Sequence, residues 1–412
     1  MRAVWSGWFA LWLLGCAPAD PGVVRFWAFG REGEVVQELV RDFERENPGV
    51  RVKVQQIPWT AAHEKLLTAH VGRASPDLAQ LGNTWIPEMV TLGALEPLPP
   101  LPDSSYFPGI LATNLVDGRF YGVPWYVDTR VLFYRKDLLA RAGYHAMPET
   151  WAEWREAMAA IRRLGGERHY AIFLPLNEWP PAVILGLQQG SPLVTRQGFG
   201  AFRDSSFARA FDFLLSLYRD GLAPPVSNTE IANLYQEFAR GTFAMYITGP
   251  WNLGEFRRRL PPDLQDAWGT APLPGPTGPA SGLSLAGGSS LVLYRSSRHK
   301  EAALRLIAFL SRPDQQLRFY RLTGDLPARR EAWDSAPLTT DREVHAFRVQ
   351  LTRAVPTPMI PEWEQVTAKL MDQTEAAVRG GKTAAAALAA LDAQVNRLLE
   401  RRRYLLARRP GS

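Results

Sequence analysis

Tryptophan side chains near predicted turns are the residues of this sequence best suited to binding chemistry. A tryptophan face offers a large, rigid contact area at low entropic cost, and the apolar C–H faces of a sugar ring can stack on it. The alternative for any one of them is that it covers an edge of the core. Those that stand near Pro, Gly or Asn, at predicted strand ends or loops, are Trp27, Trp85, Trp125, Trp179, Trp251 and Trp363.

Polar side chains accompany these tryptophans along the chain. Sugar hydroxyls need hydrogen-bond partners, and an ionised Asp or Glu accepts bonds from them. The polar neighbours are Asn83, Thr84, Tyr126, Asp128, Glu178, Asn252 and Glu362. Six loop tryptophans with such neighbours together predict a cleft that binds a saccharide.

Motifs for phosphate binding, metal binding and nucleophilic catalysis are incomplete in this chain. The segment 380–383, GGKT, has the end of a P-loop, but that motif needs glycine at position 376, which is Ala376. The six His are scattered without carboxylate or Cys partners at ligand spacing, and the only Cys is Cys16. The sequence therefore predicts no cofactor and no metal site.

The elements that position these residues begin with an alternation of strands and helices. Apolar patterning predicts strands over 23–27, 50–57 and 76–81, with helices between them, the second over 61–72. This order is typical of a mostly parallel sheet covered by helices on both faces. Open sheets of this kind bind ligands at the carboxyl ends of their strands.

The rest of the chain continues the α/β pattern. Strands over 120–124 and 131–134 flank a predicted loop at 125–129, and Thr150 with Glu153 forms a capping box at the start of a helix. Further strands are predicted at 243–247 and 291–294, and further helices at 207–218, 300–310 and 313–320. The Pro- and Gly-rich segment 272–279 predicts a crossing between lobes, and 361–407 is largely helical.

The N-terminus predicts export, and the overall charge argues against nucleic acid as a partner. Residues 4–14 form an apolar run that is too short to span a bilayer. The run ends in the segment Leu13-Leu14-Gly15-Cys16, which resembles the bacterial lipoprotein box. We expect a signal peptide at 1–15, a lipidated Cys16 and a tether at 16–22; the alternative is a simple secretory signal with a chance Cys. The 47 Lys and Arg against 41 Asp and Glu give a net charge of only +6, spread along the chain.

A series of segments, taken in order, resembles a known family. The chain is similar to the solute-binding lipoproteins of carbohydrate ABC importers, the extracellular sugar-binding proteins related to maltose- and trehalose-binding proteins. The resemblance covers essentially all of the chain after the signal peptide. It is carried by VRFW at 24–27, FERENPGV at 43–50, SPDL at 75–78, GNTW at 82–85, YGVPWYVDT at 121–129, PETW at 148–151, FARGTFAMYITGPW at 238–251, GGS at 287–289 and the segment 300–315.

The resemblance implies an α/β, two-lobed periplasmic-binding-protein fold of the maltose-binding-protein type. Its discontinuous lobes, joined by a hinge, would comprise 23–127 with 273–328, and 128–272 with 329–412, the last part carrying the C-terminal helices. A sugar, a di- or oligosaccharide, would bind between the lobes, and their closure would bury it. The family also implies a monomer without catalysis, anchored by lipid outside the cytoplasm, in the periplasm or on the outer face of the cell membrane. It would deliver its ligand to ABC transporter permease subunits in the membrane.

The family's ligand-binding positions transfer to particular residues of this chain. The resemblance implies that Glu32 accepts a sugar hydroxyl and that Gly288 allows close backbone approach. It implies ligand contact for Asn83, Thr84, Trp85, Tyr126, Asp128 and Trp251, and less specifically for Glu178, Trp179, Asn252, Glu362 and Trp363. Many relatives carry Asp where this chain has Asn83, which leaves the preferred sugar open.

Three other functions stay open at this point. The same fold would bind glycerol-3-phosphate or another polyol through clustered Arg side chains. A secreted glycosidase would need two carboxylates about 5–9.5 Å apart, for which Asp128, Glu178 and Glu362 are the candidates. A structural surface lipoprotein would bind no ligand.

Overall fold

A computed structural model describes residues 22–166 and 169–408 of the 412-residue chain. The predicted signal peptide at 1–15, Cys16 and all of the tether except Gly22 lie outside the described residues. No helix within the described ranges is long and apolar enough to cross a membrane.

The helices and strands follow the predicted alternation closely. The first part contains β1 (Val23–Phe29), α1 (Gly30–Glu46), β2 (Arg51–Ile57), α2 (Trp59–Val71), β3 (Leu78–Gly82), α3 (Ile86–Thr91), α4 (Pro108–Ala112), β4 (Leu115–Val116), β5 (Arg119–Phe120) and β6 (Val123–Asp128). The middle contains β7 (Val131–Arg135), α5 (Lys136–Arg141), α6 (Trp151–Leu164), β8 (Tyr170–Phe173), α7 (Pro180–Gln188), α8 (Ser205–Arg219), α9 (Leu234–Arg240), β9 (Phe243–Thr248), α10 (Trp251–Arg259) and β10 (Trp268–Ala271). The last part contains β11 (Ser284–Leu285), β12 (Gly287–Leu293), α11 (Lys300–Leu310), α12 (Pro313–Thr323), β13 (Leu326–Pro327), α13 (Arg342–Leu351), β14 (Ala354–Val355), α14 (Trp363–Val378), α15 (Ala384–Leu398) and α16 (Glu400–Leu406).

Two separate sheets organise these elements, and we call the part of the molecule around each sheet a lobe. The sheet of the first lobe has the order β13-β6-β12-β3-β1-β2, with β1 parallel to both β2 and β3. The sheet of the second lobe has the order β10-β7-β9-β8. In the second lobe, α14 packs into the core through Trp363, Val366 and Leu370, in one buried cluster with β7, β8 and β9.

The chain crosses between the two sheets more than once. It leaves the first sheet at Asp128 and enters the second at Val131, and it returns between Ala271 and Gly287. The short strands β11 and β14 pair in parallel beside these crossings, with Ser284 opposite Ala354. The lobe boundaries expected from the sequence fall near these points, and their exact positions remain predictions.

The loop predicted at 125–129 is wrong, because the strand β6 continues through Pro124 to Asp128. Proline cannot donate to the ladder and is tolerated inside a sheet at a bulge. The pairing of β6 with β12 shifts register at this point, where Ser289 faces Tyr126 and Ser290 faces Pro124. The bulge therefore allows β6 to continue beyond Pro124, the residue at which the sequence predicted that the strand ends.

Trp125 is consequently a core residue and not a loop residue. Its side chain is fully buried and stacks on Phe319, with ring centroids 4.3 Å apart. Phe26 and Tyr126 pack against other parts of the same ring at 6.1 and 5.9 Å. The prediction that Trp125 contacts ligand is thus corrected, because this ring is enclosed by the first lobe.

Candidate functional site

A cavity of about 670 Å³ lies between the two lobes. Its first wall comes from residues at the carboxyl ends of β1, β3 and β6, where open α/β sheets place ligands. Its second wall comes from the segment before α7 and from the start of α10, and α14 contributes at the edge. The volume falls within the range of small-molecule sites, roughly 300–1,000 Å³.

Aromatic rings form one side of the first wall. Trp59, directly after Pro58, and Trp85 both line the cavity, with ring centroids 5.8 Å apart. Phe29 supports Trp59 from beneath the cavity surface in an edge-to-face contact at 5.1 Å. His63 lies 4.9 Å from the ring of Trp85, and its Nε2 is 2.6 Å from Glu88 Oε2. These contacts fix two tryptophan rings on the cavity surface.

Trp251 lies on the second wall, and 46% of its surface is exposed. The guanidinium of Arg130 lies 4.4 Å from the centre of this ring, and its Nη1 donates to both carboxylate oxygens of Asp128 at 2.7 and 2.8 Å. Position 249 must be glycine for this arrangement, because a Cβ there would lie 2.0 Å from Trp251 Cζ3. The sequence Gly249-Pro250-Trp251 thus sets where the ring stands.

Trp179 is the second tryptophan of this wall. It lies just before α7 and lines the cavity, and it contacts Trp363 edge-to-face with ring centroids 5.7 Å apart. Trp363 is itself buried in the core of the second lobe. The buried ring therefore supports the cavity ring, and the second wall presents Trp179 and Trp251 as the first presents Trp59 and Trp85.

A hydrogen-bond network centred on Tyr126 lines the cavity beside the aromatic rings. The hydroxyl of Tyr126 donates to Glu32 Oε1 at 2.9 Å and accepts from Gln80 Nε2 and Ser289 Oγ, each at 3.0 Å. Burial is the main cause that raises the pKa of Tyr126 well above its usual value, and the charge of Glu32 adds to it. The phenol therefore stays protonated and donates to the carboxylate.

Gly288 allows the two central strands to approach each other at this network. It has a φ of +117°, and a Cβ there would lie 2.3 Å from the backbone oxygen of Tyr126. Both observations require glycine. The structure therefore explains this glycine by the packing of β12 on β6, and its close approach to a ligand stays a prediction.

Two acidic side chains share the cavity wall. Burial raises the pKa of Glu32, and burial together with the charge of Glu32 raises the pKa of Asp325 to about 8. Asp325 lies between α12 and β13, and its backbone N–H donates to Thr323 Oγ1 at 3.0 Å. Because each charge disfavours the other, the pair holds a proton at neutral pH.

Asp325→Asn is expected to stabilise the empty protein at pH 8 by about 1–2 kcal/mol and to flatten its dependence on pH. The pKa of Asp325 is raised from an ordinary value of 3.8, so the folded protein keeps a proton that the unfolded chain releases. The contribution of this carboxyl to stability is therefore most favourable below about pH 4 and is lost as pH rises toward 8. Contact with solvent through the cavity keeps the effect well below the full linkage value.

Urea unfolding of both proteins between pH 5 and pH 9 measures this effect. The control is Asp372→Asn, at an exposed carboxylate on α14, which should follow the parent protein at every pH. Parallel profiles for Asp325→Asn and the parent would contradict the expectation.

Most of the residues predicted for ligand binding lie around this one cavity. They are Glu32, Asn83, Thr84, Trp85, Tyr126, Asp128, Trp179, Trp251 and Gly288. Contact of each with ligand stays a prediction. At Asn83 both ends of the amide are already engaged, because Nδ2 donates to Thr113 Oγ1 and Oδ1 accepts from Ser290 Oγ.

The structure places the remaining predicted residues away from the cavity surface, each with a partner or packing contact of its own. Asn252 is buried and bridges Thr248 and Tyr235. Glu178 accepts from Tyr246 Oη and Asn228 Nδ2, each at 3.3 Å. The residues in this group are Trp125, Glu178, Asn252, Glu362 and Trp363, and Glu362 lies 3.5 Å from Arg402.

Several cavity residues carried no signal that the sequence analysis used. They are Arg31, Trp59, Arg130, Glu255, Arg258, Asp325, Thr357 and Glu364. Trp59 could have been found, because it follows Pro58 at the end of a predicted strand, as the other tryptophans near turns do. The charged residues are spread over α1, α10, α14, the crossing after β6 and the segment before β13, and only the fold brings them to one place.

The chain is similar in sequence and in structure to known solute-binding proteins. The model of the family described as bacterial extracellular solute-binding protein matches residues 29–317. The structure of the sugar-binding protein MalE from Xanthomonas citri is similar with a TM-score of 0.90 and 49% identity, covering 94% of this chain and 100% of that one. The diacetylchitobiose binding protein DasA of Streptomyces coelicolor is 26% identical over 337 residues, covering 80% of this chain and 77% of DasA. The galactooligosaccharide-binding protein of Bacillus subtilis is 25% identical over 354 residues, covering 82% and 80%.

Proposed function

The chain belongs to the family of bacterial extracellular solute-binding proteins, and we propose that it captures a sugar in the cavity between its lobes. The proposed ligand is a di- or oligosaccharide, which the protein delivers to the permease of an ABC importer. The relatives that bind sugars by name, and the similarity to MalE at 49% identity, support this class.

The arrangement of tryptophans across the cavity is the observation that carries the proposal. Trp59 and Trp85 line it from the first lobe, and Trp179 and Trp251 line it from the second. Apolar ring faces on both walls, with Glu32, Tyr126 and other polar groups between them, suit a ligand that has C–H faces and hydroxyl edges. A chain of linked sugar rings has that pattern on each unit.

The charge pairing in the cavity favours a neutral sugar over glycerol-3-phosphate. Arg130 is held by both oxygens of Asp128, and Arg258 lies against Glu255. Arg31 lies 3.6 Å from Glu34. A phosphate group would have to compete with a carboxylate for each of these guanidinium groups.

We further propose that the protein acts without catalysis, cofactor or metal, as a monomer outside the cytoplasm. The relatives described above are binding proteins, which supports the absence of catalysis. The proposed anchor is a lipid on Cys16, at the end of the apolar N-terminal run. Dual or triple acylation at that residue would hold the protein firmly to a membrane.

Intrinsic tryptophan fluorescence tests the ligand class directly. The purified protein is titrated with glucose, maltose, trehalose, cellobiose, xylobiose, diacetylchitobiose, a galactooligosaccharide and glycerol-3-phosphate. We expect a saturable change with at least one di- or oligosaccharide at micromolar concentration or below. A response to glycerol-3-phosphate alone would replace the sugar by a phosphorylated polyol, and silence with every compound would remove the sugar assignment. Release of nitrophenol from nitrophenyl glycosides would contradict the absence of catalysis.

A further inference from the structure

A hydrogen bond between side chains joins the two lobes at the edge of the cavity. Thr84 Oγ1 donates to Glu364 Oε1 at 2.7 Å, across 280 positions of sequence. Thr84 is the second residue after β3 in the first lobe, and Glu364 is the second residue of α14 in the second lobe. The bond therefore exists only while the two walls of the cavity stand close together.

The backbone around each partner is held by contacts within its own lobe. Thr84 lies in a short 3-10 turn between Asn83, whose amide is bonded at both ends, and Trp85, whose ring packs on Trp59. Glu364 lies in the first turn of α14, where the free N–H groups of a helix favour a carboxylate. Thr84 has a short side chain on a held turn, so it loses little conformational freedom on meeting Glu364.

Beside this bond the lobes are separated by a groove of about 400 Å³. Glu88, Thr91 and Leu92 of the first lobe line one side, and α16 and the start of α14 line the other. The bond thus lies near an open groove, and the charge of Glu364 also acts on His63 of the first lobe, where it adds to the hydrogen bond with Glu88 in raising the pKa of the imidazole. Its removal is expected to change how the lobes stand relative to each other without disturbing the core of either.

We propose that Thr84 and Glu364 form a latch that favours the closed arrangement of the lobes and slows release of the ligand. A hydrogen bond to a charged acceptor that is present in one arrangement only shifts the equilibrium toward that arrangement. The expected shift is about tenfold, the size of a modest charge-assisted bond. The effect on ligand release rests on the proposed function, whereas the effect on closure does not.

Four substitutions separate the hydrogen bond from the shape of the side chains. Thr84→Val keeps the branched shape and removes the donor, and Glu364→Ala removes the acceptor. Thr84→Ser keeps the hydroxyl donor and is the matched control. Glu364→Gln keeps an oxygen acceptor but removes its charge, so it measures how much of the effect needs the carboxylate. Urea unfolding midpoints of all four should stay near that of the parent protein, because neither residue packs in a core.

Small-angle X-ray scattering of the protein without ligand measures closure itself. We expect Thr84→Val and Glu364→Ala to increase the radius of gyration, Thr84→Ser to match the parent, and Glu364→Gln to lie between the parent and Glu364→Ala. The latch is refuted if the first two variants scatter like the parent. Because no sugar is added, this result is independent of whether the ligand has been identified.

Stopped-flow fluorescence with a sugar that binds then measures release. Thr84→Val and Glu364→Ala should each increase the dissociation rate about tenfold and leave the association rate within about twofold. The double variant should dissociate no faster than either single one, since both remove the same bond. Additive effects would show that the two residues act separately and would overturn the proposal. Failure of every sugar to bind, with the expected scattering result, would contradict the proposed function and leave the latch standing.

Discussion

Trp251→Ala is expected to weaken sugar binding by about 100-fold. The ring has 46% of its surface exposed, although its neighbours hold it firmly on the cavity wall. Arg130 lies over it at 4.4 Å, and Gly249 leaves room for it against the backbone. An aromatic ring that is already in position and becomes covered by the ligand contributes a few kcal/mol to the binding free energy.

The control for this prediction is Phe199→Ala. Phe199 is equally exposed, at 46%, but it lies against Arg403 of α16 and does not line the cavity. The affinity of Phe199→Ala for the same sugar, measured by isothermal titration calorimetry, should equal that of the parent protein. Trp251→Phe, which keeps a smaller ring, should fall between the parent and the alanine variant. An alanine variant with parental affinity would show that the sugar does not stack on Trp251.

The fold could be predicted because it depends on patterns that are local in the chain. A short apolar run predicted β1, helical spacing predicted α1 and alternation of apolar and polar residues predicted β2. The capping box at Thr150 and Glu153 is present in the structure. The predicted fold class, with two α/β lobes of the maltose-binding-protein type, is confirmed by the similarity to MalE. The family resemblance is confirmed by the matching family model.

Burial of individual tryptophans could not be predicted in the same way. A nearby Pro, Gly or Asn marks a turn or a bulge without showing on which side of the sheet the ring lies. Trp251 and Trp363 both stand at the start of a helix near proline, yet one lies on the cavity wall and the other in the core. What separates them is the packing of α10 and α14 against different neighbours, which is set by contacts distant in sequence.

The interactions of the charged groups in the cavity were even harder to predict from the sequence. Asp325 has an ordinary sequence environment, and its raised pKa arises from burial near Glu32, almost 300 residues away. Glu364 has a helical position typical of a surface carboxylate, and only the approach of the two lobes brings it to Thr84. Sequence patterns therefore indicated Trp85, Trp179 and Trp251 of the cavity wall and missed the charge interactions that the fold creates.

Trp125→Ala is expected to destabilise the protein by about 3–5 kcal/mol, the range for removing a fully buried large aromatic side chain. The ring is enclosed by the first lobe and stacked on Phe319 at 4.3 Å, so the substitution leaves a cavity that surrounding side chains fill only in part. The urea unfolding midpoint followed by circular dichroism measures the loss. Trp251→Ala is the matched control, since that ring is half exposed and its removal should change the midpoint little.

Trp125→Phe distinguishes the core position from a binding position. Within the described part of the chain, no acceptor lies within hydrogen-bonding distance of Trp125 Nε1. Phenylalanine removes this unsatisfied donor and keeps a ring against Phe319, so it should cost much less than alanine, about 1–2 kcal/mol. Because Trp125 does not line the cavity, the phenylalanine variant should also bind sugar with parental affinity. A large loss of affinity in a variant that remains folded would return Trp125 to the binding site.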